Sequence, residues 1–127
     1  MICKMVYNNI LEAIGHTPMT KLNRLNKPGN ADIFVKFEGL NVGIGDGIIP
    51  SILNTKIYDH IHIVTDEDAI NTAKQLASLE GIMCGISAGT NVAAALKLAE
   101  KLGPGKTVVT ILPDTAERYF STPLFDE

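Results

Sequence analysis

The sequence predicts an α/β domain with a small mixed sheet and flanking helices, on three observations. In residues 31–38, Ile33, Val35 and Phe37 alternate with Asp32, Phe34, Lys36 and Glu38, the period of a strand with one wholly apolar face and one mixed face. Further along, Ala69, Ile70, Ala73, Leu76 and Ala77 recur at helical spacing. Near the end, TVVTIL at residues 107–112 is a nearly unbroken apolar run of the kind that α/β sheets bury on both faces.

Taken in order, residues 17–23 (TPMTKLN) form a short extended segment, and the turn formers Asn26, Lys27, Pro28, Gly29 and Asn30 join it to the strand at 31–38 as a hairpin-like pair. Residues 39–50 (GLNVGIGDGIIP) hold four glycines and a proline, which reads as irregular backbone. Residues 61–64 are expected to be a short strand running straight into a helix. Thr65 is its N-cap and Asp68 its capping-box acid, while Asp66 and Glu67 favour the dipole and Gly81 closes the element. After the apolar run at 82–86, Ser87, Ala88, Gly89, Thr90 and Asn91 read as a small-residue turn, with a second helix from about Val92 to Leu102. Its Ala93, Ala94 and Ala95 suit close packing against a sheet, and Gly103 and Pro104 end it. The expectation is one sheet of four strands, at 19–22, 32–37, 61–64 and 107–112, covered by these helices, with at least one newly exposed strand edge seeking a partner.

A chain of 127 residues is one domain, and folding hides roughly 65–70% of its surface without staples. With 46% hydrophobic and 20% charged residues it is neither disordered nor of low complexity. Eleven basic against 14 acidic side chains give a net charge of -3 with no basic block, which speaks against a nucleic-acid partner. No apolar run reaches the roughly 20 residues of a membrane span, and the first residues lack a signal-peptide core, so a cytoplasmic protein is expected. Cys3 and Cys84 lie far apart, outside any C-x-x-C or Cys/His cluster, so no metal site is expected. His60 and His62 share one parity of the expected strand and read as a solvent-facing stripe rather than a ligand pair.

Three segments carry a stronger signal. The first joins ILEAIGHTPMTKL (residues 10–22) to IFVKFEGLN (33–41); the second is GIGDGIIPSILNT (43–55); the third joins GISAGTNVAAALKL (85–98) to VTILPDTAERYFST (109–122). In this order they resemble cysteine synthase, the O-acetylserine sulfhydrylase of the fold-type II pyridoxal-phosphate enzymes, whose fold is tryptophan synthase β-like. The resemblance takes in essentially the whole chain, yet the family's members are more than twice as long. It implies that residues 1–127 are a single domain, a remnant of the cofactor-side large domain, with the family's small domain absent. It also locates a large internal deletion. In the family, the segment like residues 37–41 leads into a Pro-Gly-Gly-Ser-Val-Lys run, whereas here Asn41 is followed by Val42 and then by Gly43 of a turn the family carries far downstream. With the excised stretch go the Schiff-base lysine, the substrate-carboxylate loop and the phosphate-cradling glycine loop.

Those losses bear directly on the chemistry. An aldimine needs a lysine held at the cofactor aldehyde, able to lose its proton, and a phosphate dianion needs converging backbone N–H groups. The resemblance leaves one cofactor-binding residue, Ser87, at the position of the family serine that hydrogen-bonds the pyridine nitrogen. Read alone, a serine before a helix is a capping residue. Its hydroxyl is expected at the mouth of a shallow concavity facing residues 43–47. Asp114 and Glu117 could form a general acid/base pair, although pairing of Arg118 with a carboxylate is the simpler use. Cys84 reads as a buried small hydrophobe, and Tyr119 and Phe120 as packing residues. The parent reaction implied is pyridoxal 5'-phosphate-dependent β-replacement, converting O-acetyl-L-serine and sulfide to L-cysteine and acetate. The expectation is a cysteine synthase-like protein, a homo-oligomer, that binds the cofactor poorly and is inactive. The alternatives are a non-catalytic assembly module and an internally deleted gene product without activity.

Overall fold

The computed structural model describes residues 18–37, 56, 58–119 and 121. The expected irregular stretch at 39–50, the junction near Asn41, and Phe120 lie outside them. Strand β1 (Met19–Lys21) pairs antiparallel with β2 (Asp32–Phe37), placing Met19 opposite Lys36 and Lys21 opposite Phe34. The turn between them is built as its residues dictate: Gly29 takes a positive φ, the Asn30 amide donates to the Lys27 carbonyl at 3.3 Å, and the Asn26 side chain donates to the Ala31 carbonyl at 2.8 Å. Strand β3 (Thr107–Leu112) lies parallel to β2, Ile33 opposite Val108 and Val35 opposite Thr110, giving a mixed sheet in the order β1-β2-β3.

Helix α1 (Asp66–Gln75) begins where the sequence places it. The Thr65 hydroxyl accepts from the Asp68 amide at 3.1 Å, and three acidic residues fill the first turn. A π-helical turn (Leu76–Glu80) continues it to Gly81, whose φ of 71° closes the element in the left-handed region. The Glu80 Oε1 atom accepts from the amides of Asn23, Arg24 and Leu25 at 2.9, 2.6 and 2.8 Å, tying this turn to the loop after β1. Burial raises the Glu80 carboxyl, but the three amides outweigh it and hold the group below its ordinary range.

Helix α2 (Ile86–Leu102) packs on the inner sheet face. Ile33, Val35, Val108 and Leu112 of the sheet meet Ala88, Val92, Ala95 and Ala99 of α2, together with Leu22 and Leu76, in one core. The small residues along α2 let the helix axis come close to the strands, the role the alanine run suggests.

Three expectations change. Residues 61–64 form no strand: Ile61 and Ile63 are 74% and 87% exposed and the segment runs as coil into α1. Apolar alternation is a property of the chain, whereas a strand also needs a neighbouring strand to take its amides and carbonyls. Helix α2 starts at Ile86, not near Val92, so Ser87 lies in its first turn. Finally, among the described residues β3 is packed against on one face only. Val108 and Leu112 point inward, while Val109 and Ile111 are 60% and 39% exposed on the outer face.

Candidate functional site

The reason α2 begins early is found across the fold. Its N-cap, Gly85, has extended backbone and no side chain to offer the first amides. Asp114, two residues past the end of β3, takes that role: its Oδ2 accepts from the Ser87 amide at 3.1 Å and its Oδ1 from the Ala88 amide at 2.9 Å. The carboxylate also accepts from the Tyr119 hydroxyl at 2.7 Å, and the Asp114 carbonyl takes the Gly85 amide at 3.5 Å. A bridge between Cys84 and Thr115 runs beside this knot. Asp114 is 5% exposed, and the positive end of α2 with two charge-assisted amide bonds makes its burial tolerable. Glycine is required at 85, because a Cβ there would run into the Tyr119 ring and the Asp114 carboxylate.

Ser87, the one residue carried over to the cofactor, is 3% exposed. It does not stand at the mouth of a concavity; it is enclosed in the first helical turn, its amide on Asp114 and its hydroxyl beside Tyr119, whose phenol that hydroxyl helps hold down. Burial, followed by the Asp114 bond and charge, still leaves the Tyr119 phenol above its ordinary range. Residues 43–47, which the serine was expected to face, lie outside the described residues. Among the described residues no buried side-chain polar atom lacks a partner. Asp114 and Glu117 are not brought together as an acid/base pair: Asp114 is buried in the knot, while Glu117 is exposed, its carboxyl lowered first by the Thr115 hydroxyl and also by Arg118. Cys84 is buried as expected, and burial followed by the Asp114 charge pushes its thiol up to about 12. That thiol is neutral, not nucleophilic.

Among the described residues no lysine is placed to substitute for the one the resemblance assigns to the excised stretch. None is buried among the described residues; Lys21 pairs with Asp32 at 2.7 Å and Lys97 with Asp68 at 3.0 Å, all four partly exposed. His60 and His62 are both exposed, and among the described residues no cluster of His, Cys, Asp and Glu could hold a metal. His62 instead borders a shallow groove of about 200 Å³ between α2 and β3, lined by Asn91, Ala94 and Val109 among others, away from Ser87. No helix among the described residues is long and apolar enough to cross a membrane.

Sequence reasoning missed Asp114 as the organiser of this region. The signal available was a helix with glycine in place of a capping side chain, which leaves its amides to a distant acceptor.

Comparison with known proteins bears on the same segments. Residues 42–114 match the pyridoxal-phosphate dependent enzyme family, beginning at the position where the sequence places the junction. A cysteine synthase of Staphylococcus aureus (strain N315) is 51% identical over 83 residues, which are 65% of this chain and 27% of that protein. Cysteine synthase B of Campylobacter jejuni is 44% identical over 122 residues, 91% of this chain and 40% of its own length. Among solved structures, a cysteine synthase from Entamoeba histolytica aligns with a TM-score of 0.61 at 44% identity, covering 67% of this chain and 26% of that one. An O-ureido-L-serine synthase aligns with a TM-score of 0.62 at 36% identity, covering 72% and 34%. The chain thus spans between 27% and 40% of the length of these two curated relatives.

Proposed function

Because the chain belongs to the pyridoxal-phosphate dependent enzyme family and is cysteine synthase-like, we propose that it keeps the packing frame of the family's large domain without the parent reaction. That reaction is β-replacement of the acetoxy group of O-acetyl-L-serine by sulfide, to L-cysteine and acetate. Pyridoxal 5'-phosphate supplies the electron sink where it is bound.

One observation carries the reading: the position matched to the cofactor's pyridine contact is filled by the chain itself. Asp114 occupies the amides at the start of α2, and the Ser87 hydroxyl lies enclosed beside Tyr119. Ser87 is enclosed, so a ring could reach its hydroxyl only if the residues around it moved, and the glycine loop that the resemblance assigns to the phosphate is missing from the sequence. Without the lysine and the phosphate loop that the resemblance places in the excised stretch, the residues present do not fit the cofactor. The absence of a buried lysine among the described residues supports the same conclusion. A place in the cytoplasm belongs to this reading.

The test is to add pyridoxal phosphate, reduce with borohydride, map labelled lysines by mass spectrometry, and assay cysteine from O-acetylserine and sulfide. Scattered, substoichiometric labels and no turnover above the cofactor-only blank are expected. A single stoichiometrically labelled lysine with turnover would overturn the reading.

A second reading, a non-catalytic assembly module acting as a homo-oligomer, is favoured by the outer face of β3, where the apolar Val109 and Ile111 are exposed.

A further inference from the structure

The two edges of the sheet are unlike. β1 is three residues long, follows Pro18 and carries Lys21, the features that protect an edge strand from pairing with another chain. β3 is six residues long, has no proline, glycine or charge, and has no strand beyond it among the described residues. We propose that the β3 edge pairs antiparallel with β3 of a second copy of this chain about a two-fold axis at Val109, joining two three-stranded sheets into one of six. This rests on the assembly reading above and gives it a surface and a register.

The register follows from the backbone. In a parallel ladder the amide and carbonyl of one residue face the same neighbour, and alternate residues face opposite sides. The Lys106 carbonyl accepts from the Asp32 amide at 2.9 Å, so residues 106, 108, 110 and 112 turn toward β2. Thr107, Val109 and Ile111 therefore turn to the open edge. Consistent with this, the Ile111 carbonyl is met from outside the sheet, by the Asn91 side chain at 3.1 Å, which leaves it one lone pair. With the axis at Val109, the two Val109 residues exchange amide and carbonyl, and Thr107 of each copy does the same with Ile111 of the other.

The side chains agree with that pairing. Thr107, Val109 and Ile111 share the outer face, so the pairing sets valine against valine and threonine against isoleucine, with no charge opposite its own kind. A neutral strand is complementary to itself, which a strand carrying a lysine is not. A two-fold edge contact also closes after two copies and, among the described residues, leaves the protected β1 edges outside.

The test uses the full chain in a sedimentation concentration series, with V109K, M19K and V109C variants. Wild type is expected to dimerise. V109K, whose side chain stands outside the core, should keep the wild-type circular dichroism and weaken the dimer by about 100-fold or more, since it sets two lysines against each other. M19K, at the protected edge, should leave it unchanged. Oxidised V109C should cross-link 109 to 109 in peptide mapping, because the two Cα atoms would lie about 5.5 Å apart; this holds as a test even if V109K folds poorly. A strict monomer at high concentration would overturn both this inference and the assembly reading. A dimer that resists V109K, that yields to M19K, or that gives no 109–109 cross-link would overturn the inference alone.

Discussion

Replacing Asp114 with alanine removes the acceptor for two helix-end amides and the Tyr119 phenol in one step. Hydrogen bonds to a charged group contribute about 1.5–3 kcal/mol each, and loss of an N-cap alone costs about 1–2 kcal/mol. These contributions overlap, because water entering the space left behind can satisfy part of what is lost, so the net cost should be about 3 kcal/mol. For a chain of this length the melting temperature should fall by about 10 °C. D114N keeps one carbonyl oxygen but turns an NH₂ group toward an amide or the phenol, and should cost about half as much. The chain has no tryptophan, so urea and thermal unfolding are best followed by far-ultraviolet circular dichroism. The expected order is wild type, then Asn, then Ala. An alanine variant within about 1 kcal/mol of wild type would show that solvent serves these amides as well as the carboxylate does, and would refute Asp114 as the organiser of the α2 start.

Three further outcomes follow from neighbouring features. Glu80 has a folded-state pKa below its unfolded value near 4.3, so its contribution is present above that value and is lost as pH falls through the folded one. E80Q should flatten the fall of stability measured between about pH 5 and pH 3 and, with solvent screening allowed for, cost about 1 kcal/mol at neutral pH. G85A should destabilise by about 2–3 kcal/mol in the same unfolding measurement, since the new Cβ meets the Tyr119 ring and Asp114. Cys84, with its thiol pushed up to about 12, should resist maleimide at pH 8 in the native protein and label at the rate of unfolding, as peptide mapping would show.

What the sequence determined by itself is what neighbouring residues decide among themselves. Thr65 caps α1, Gly81 closes it, the Asn26–Asn30 turn joins an antiparallel pair, and β2 and β3 keep their expected bounds. In each case the acceptor, the positive φ or the period lies within a few residues of the element it sets. The family resemblance was legible for the same reason, as short ordered strings such as those at 85–98 and 109–122.

Tertiary structure decided the rest, because the deciding partner lies far along the chain. The start of α2 depends on a carboxylate at 114 that meets amides at 87 and 88, so the residues before Val92 look like a turn when read locally. Residues 61–64 have a strand's alternation but no described strand beside them, and among the described residues the apolar run of β3 finds a cover on only one of its faces. Ser87 shows the same limit most directly. Read alone it is a capping serine and the resemblance implies a cofactor contact, whereas its neighbours in space, Asp114 and Tyr119, engage its amide and hydroxyl within the fold, because a polar group enclosed away from water must find its hydrogen-bond partners among the residues that enclose it.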